Sequence, residues 1–165
     1  MKQKSWYALY TKHQHERTVA SNLQSKGFQT FLPLYASARS WKDRVKVLSL
    51  PLFPCYVFLN TELPQRSEIL KTPGIHDFVT TAGRPAVIPG PEIEGIRQAV
   101  GSGARVEPHP FVKCGDRVKV KCGPMTGLTG ILLRKKNVYR LILSVAMLGK
   151  AAAVEVDAVM VEQLN

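Results

Sequence analysis

Cysteine is scarce: the 165-residue chain has three, at positions 55, 114 and 122, with no Cys-x-x-Cys spacing. An odd number in that arrangement suits reduced thiols in a cytoplasm better than a disulfide framework. The four histidines add no ligand cluster along the sequence, so neither a metal nor a cofactor is expected. No apolar run approaches the roughly 20 residues that a membrane-spanning helix requires. Met1-Lys2-Gln3-Lys4-Ser5-Trp6-Tyr7 carries charge without an apolar signal core, and the expectation is a cytoplasmic protein with no membrane partner. Catalytic patterns are missing as well. There is no nucleophile elbow and no Gly-x-x-x-x-Gly-Lys-Ser/Thr phosphate loop, and Ser67 and Glu68 beside His76 and Asp77 form no ordered constellation. No catalytic residue is therefore assigned, and the chain is not expected to be an enzyme.

Acidic side chains are the rarer charge, 12 against 23 basic ones, for a net charge of +11. The isoelectric point is about 9.8. Such a surface concentrates polyanions, nucleic acid above all. The excess is spread along the chain: 13 basic and 7 acidic residues lie up to Ala104, and 10 and 5 beyond it. At 45% hydrophobic the chain can build an ordinary core.

Periodicity then places the elements. Ser5 to Tyr10 reads as a first strand; Val19, Ala20 and Leu23 recur at helical spacing, and Gly27 ends that helix. Phe28 to Leu32 is a further strand, and Arg39 to Lys46, basic around Trp41, is a hairpin or mobile loop. Leu50-Pro51-Leu52-Phe53-Pro54-Cys55-Tyr56-Val57-Phe58-Leu59 is a continuous apolar run stiffened by two prolines, which straighten the residues before them. It predicts a buried strand over 55–60, with Phe53, Pro54 and Tyr56 at the mouth of an apolar docking surface. Pro64 opens a short helix, Ile75 to Val79 is strand-like, and Pro91 opens a helix with Ile93, Ile96 and Val100 on one face. Gly101-Ser102-Gly103 through Pro108-His109-Pro110 breaks every period and reads as a linker. Beyond it, Arg117-Val118-Lys119-Val120-Lys121 alternates with period two, and glycines at 123, 127 and 130 punctuate short strands, the pattern of a small barrel.

In that order the chain resembles the NusG family, and more closely its RfaH-type specialised paralogues. The resemblance rests on Trp6-Tyr7 with Tyr10 and Lys12, on Leu52 to Phe58, on Pro73-Gly74-Ile75 through Phe78-Val79, and on Arg84-Pro85-Ala86-Val87-Ile88-Pro89. Gly115-Asp116-Arg117-Val118, Gly123 to Gly130, Ser144 to Lys150 and Val154-Glu155-Val156 resemble the KOW motif. The resemblance implies an α+β chain: an NGN domain over 1–101, an antiparallel sheet flanked by helices, then a linker over 102–111. A small all-β, SH3-like KOW barrel follows over 112–165. It further implies an elongation and antitermination factor that binds the RNA polymerase large subunits, bridging clamp and gate loop to suppress pausing and termination.

By the same resemblance, Trp6, Tyr7, Phe53, Pro54 and Tyr56 would face the polymerase clamp, and Gln65, Arg66 and Ser67 the gate loop. Lys12, His13, His15 and Arg17 would contact the non-template DNA strand. Met125 and Leu128 would receive the KOW partner, Rho or a small-subunit ribosomal protein. The chain departs from RfaH at Thr18, Asn22 and Pro73, where basic or histidine side chains stand, and it lacks a His-Thr-Thr run at the gate-loop position. The β-formers from Tyr139 to Val145 favour a barrel over a helical hairpin for the last domain. A monomer is expected. The alternatives are a general NusG that also stimulates Rho-dependent termination, or a KOW-type ribosomal or RNA-binding protein.

Overall fold

The computed structural model describes residues 3–63, 66–112 and 114–164. In chain order the first elements are β1 (Ser5–Thr11), α1 (Glu16–Ser25), β2 (Gln29–Phe31), β3 (Leu34–Trp41), β4 (Arg44–Pro51) and β5 (Tyr56–Thr61). Next come α2 (Arg66–Leu70), β6 (Ile75–Phe78), β7 (Thr80–Thr81), β8 (Arg84–Pro85), α3 (Gly90–Gly101) and β9 (Val106–Pro110). The last are β10 (Asp116–Val120), β11 (Thr129–Lys135), β12 (Val138–Val145), β13 (Lys150–Val156) and β14 (Val161–Gln163). Two compact units result, Met1–Leu32 with Phe53–Gly90 and Pro33–Leu52 with Pro91–Asn165. Helices and antiparallel sheets together make the α+β class expected from the sequence.

The first unit is a four-stranded sheet in the order β2-β5-β1-β6, antiparallel throughout. Strand alternation sends Tyr7 and Leu9 of β1 and Val57 and Leu59 of β5 to one face. There they bury against Val19, Ala20 and Leu23 of α1, with Ile69 and Phe78 completing the cluster. Gly27 ends α1 with φ +89°. Its N–H bonds the Gln24 carbonyl at 2.9 Å while that of Phe28 reaches back to Leu23 at 3.0 Å. This Schellman arrangement closes the helix and turns Phe28 onto the cluster. The opposite face carries Trp6, Ala8 and Tyr10, set against Asn60, Phe58 and Tyr56.

The second unit is a six-stranded antiparallel sheet in the order β14-β10-β11-β12-β13-β9. Val118 and Val120 point inward from β10 and Lys119 outward, as the period of two requires. Gly130 is demanded by packing: a Cβ there would overlap the carbonyl oxygen of Ile142. β12 spans Val138–Val145 as a strand. The eight-residue arms of β3 and β4 pair from Leu34↔Pro51 to Trp41↔Arg44. They make the basic segment a hairpin that leaves Trp41, Val45 and Val47 exposed.

Two boundaries differ from the sequence reading. Residues 106–110, expected as linker, form β9 and pair with β13 from Val106↔Val154 to Pro110↔Lys150. Proline breaks a central ladder but is tolerated on an edge strand, where its missing N–H is not required. The prolines at 108 and 110 therefore fit β9 at the end of the strand order. The helix α3, expected in the first domain, belongs instead to the second unit with the β3–β4 hairpin. Its amphipathic face predicts burial without naming the surface that buries it.

Candidate functional site

At one end of the first sheet, β1 and β5 bring Tyr10 and Tyr56 opposite each other. Their ring centroids are 5.7 Å apart. Tyr10 also stacks on His76 of β6, centroid to centroid 5.1 Å. Pro54 is exposed beside them and Tyr56 is half-buried, while Tyr10 keeps 45% of its surface accessible. The turn entering β5 is closed by a 3.2 Å bond from the Tyr56 N–H to the Phe53 carbonyl, and the Thr11 N–H bonds the Cys55 carbonyl at 2.8 Å. Burial raises the Tyr56 hydroxyl above the ordinary tyrosine range, and the neighbouring Tyr10 and Cys55 push it the same way.

The predicted clamp-facing residues thus divide. Pro54 and Tyr56 lie on this aromatic rim. Phe53, expected on it, is buried to 2% exposure and meets Phe58 edge to face at 5.8 Å. Tyr7 is buried in the α1 cluster, edge to face with Phe78 at 5.9 Å. Trp6 is buried too, its main-chain carbonyl accepting from the Ile88 N–H at 2.8 Å. Strand alternation explains the division, since Tyr7 must face α1 once Trp6 and Tyr10 face away. Tyr10 and His76 were not assigned a role from sequence. Pairing of β1 with both neighbours brings them to the rim, and the aromatic at the end of β1 was the available signal.

Next to the rim runs the β1–α1 turn, where Lys12, His13 and His15 are exposed, as is Arg17 in the first turn of α1. A 2.8 Å bond from the Lys12 N–H to the Gly74 carbonyl fixes the turn to the start of β6. Gly74 itself has φ +95°, and a Cβ there would come 2.9 Å from Val19 Cγ2, so only glycine fits without displacement.

Of the residues expected to meet the gate loop, Gln65 lies outside the described residues. Arg66 stands 3.6 Å from Asp77 with its guanidinium 5.9 Å above the Phe78 ring, and Ser67 is exposed. In the second unit, Met125 and Leu128 do not present the open partner surface expected of them, being 7% and 6% exposed. Gly95 of α3 approaches so closely that an added Cβ would lie 3.3 Å from Leu128. The Gln98 amide donates to the carbonyls of Pro124 at 3.2 Å and Thr126 at 3.1 Å. A cavity of about 420 Å³ opens beside this contact, lined among others by Glu92, Gly95, Arg117 and Leu128. Burial raises the Glu92 carboxyl above its ordinary range, offset in part by a hydrogen bond from the Ala146 backbone.

One further constellation is visible only in three dimensions. His13, Glu16 and Cys55 place one ligand-type atom each within 4.8 Å of one another. The sequence reading found no such cluster because Cys55 stands 42 positions from His13.

A family model described as "Transcription termination factor nusG" matches residues 4–97. The transcription termination/antitermination protein NusG of Deinococcus radiodurans is 28% identical, over 92% of this chain and 95% of that protein. The protein of the same name from Thermus thermophilus is also 28% identical, over 92% and 94%. A solved structure described as "Domain interaction in Thermotoga maritima NusG" aligns with a TM-score of 0.60 at 20% identity, over 99% of this chain and 98% of that one.

Proposed function

The chain belongs to the NusG family, and from that membership we propose that it is an elongation and antitermination factor of the RfaH-like specialised kind. In this reading it binds the large subunits of RNA polymerase through its first unit. It acts by binding alone, holding the clamp closed toward the gate loop and so suppressing pauses. The observation that carries the reading is the pairing of exposed Tyr10 with half-buried Tyr56 at one end of β1 and β5. Aromatic side chains held rigid by a sheet lose little freedom on association and are the usual anchors of a binding surface. Pro54 and His76 extend this rim, and the buried Trp6, Tyr7 and Phe53 support it from behind rather than touching the clamp directly.

The exposed Lys12, His13, His15 and Arg17 lie alongside. They would follow the phosphates of the non-template strand while an unstacked base meets the Tyr10–His76 stack. Arg66 and Ser67 remain the gate-loop contact in this scheme. For Arg66 that engagement competes with its present pairing to Asp77. The KOW partner, Rho or a small-subunit ribosomal protein, would reach Met125 and Leu128 only after α3 gives way.

Polymerase pull-down with Tyr10→Ala and Tyr56→Ala together tests the docking claim. A folded double variant that still retains polymerase would sink it. A Rho-dependent termination assay separates the specialised factor from a general NusG. No enhancement of termination is expected, and strong enhancement would favour the general reading.

A further inference from the structure

We propose that His13, Glu16 and Cys55 form a binding site for a divalent transition-metal ion of the borderline class, zinc above all. The three side chains offer imidazole, carboxylate and thiolate, a donor set that suits zinc or cobalt and disfavours magnesium and calcium, which take oxygen ligands. His13 Nδ1 and Cys55 Sγ lie 3.9 Å apart. A tetrahedral zinc with bonds of about 2.3 Å to sulfur and about 2.0 Å to nitrogen sets those atoms roughly 3.5 Å apart. A few tenths of an ångström of closure would thus complete that edge. The Glu16 oxygen falls inside the same 4.8 Å limit.

Glu16 is the anchor. Its side chain is buried at 4% exposure, and its Oε1 accepts the backbone N–H groups of Gln14 and Cys55, each at 3.1 Å. These two bonds fix the carboxylate as supporting contacts fix a metal ligand, and leave its other oxygen for the ion. His13 is exposed and Cys55 half-buried, so the site is open on the His13 side. Three protein ligands leave a fourth position for water or a group from outside. Binding replaces the thiol proton by the metal: the S–H bond breaks, the S–Zn bond forms and the proton passes to solvent. With thiolate and carboxylate both ionised, the loaded site is neutral. Such an ion ties the β1–α1 turn to the turn entering β5. The site does not depend on polymerase docking.

The test is cobalt(II) titration of the reduced, metal-stripped full chain. One equivalent is expected to give a near-ultraviolet thiolate-to-cobalt band with tetrahedral visible absorption, and added zinc to bleach both. Cys55→Ser and His13→Ala are each expected to abolish the sulfur band, whereas Cys114→Ser with Cys122→Ser keeps it. Glu16→Gln retains an acceptor for both backbone N–H groups. It is expected to stay folded by circular dichroism and to weaken cobalt binding by at least about 10-fold. An octahedral spectrum without the sulfur band, a band that survives Cys55→Ser, or one lost in the Cys114 and Cys122 double variant overturns the proposal. Each of these readouts is independent of polymerase binding.

Discussion

The side-chain amide of Gln98 on α3 donates to the carbonyl of Thr126 at 3.1 Å, in the turn before β11. It donates to the Pro124 carbonyl as well, so a single side chain fastens the helix to the turn that carries Met125. Gln98→Ala removes both bonds. It is expected to cost about 1 kcal/mol, the usual net contribution of such a contact, and to speed hydrogen exchange at the Leu128 amide. Unchanged exchange there would mean that α3 is held by its apolar face alone.

Gly74 carries two constraints, a left-handed backbone and the approach of Val19 Cγ2 at 2.9 Å from an added Cβ. Gly27 has a similar φ, +89°, but open space around it. Gly27→Ala is therefore expected to lose about 1 kcal/mol from backbone strain, and Gly74→Ala about 2–3 kcal/mol. Urea midpoints of the two variants measure the difference. Equal losses would show that Val19 yields without cost.

Glu92 sets a pH dependence. Its folded pKa lies above the ordinary value because burial penalises the charged form. The folded chain thus holds that proton more tightly than the unfolded chain. The stability contribution is fully present below the unfolded glutamate value of 4.5, and is lost as the pH rises through the raised one. Glu92→Gln removes the ionisation while keeping an acceptor for the Ala146 backbone. It is expected to raise the melting temperature at about pH 7, with the gain shrinking toward about pH 4. A gain that is constant across that range would assign the effect to something other than ionisation.

The two tryptophans sit in opposite surroundings, Trp6 at 9% exposure and Trp41 at 61%. Acrylamide is expected to quench the native fluorescence in two populations. Trp41→Phe should leave one, poorly accessible, with the melting temperature nearly unchanged because the replaced ring stands in solvent. Strong quenching of the remaining Trp6 would contradict its burial.

Much of this was written locally in the chain. Val19, Ala20 and Leu23 followed by Gly27 specify a helix and its end whatever surrounds them, because side-chain period and left-handed glycine are short-range properties. The alternation at Val118 and Val120 marks a half-buried strand in the same way. The apolar run into Val57, Phe58 and Leu59 predicts a buried strand, and those residues are fully covered.

Tertiary structure decided which aromatic faces outward and what covers each buried face. Phe53 and Tyr7 go inside while Tyr10 stays out, because exposure depends on the neighbouring strand and on α1, which no local period encodes. The prolines of β9 read as linker until pairing with β13 gave them an edge position. Leu128 went under α3, and Cys55 met His13 and Glu16, for a common reason. Those contacts join residues far apart in sequence, and chain closure places such side chains together without leaving a mark in the spacing of either segment.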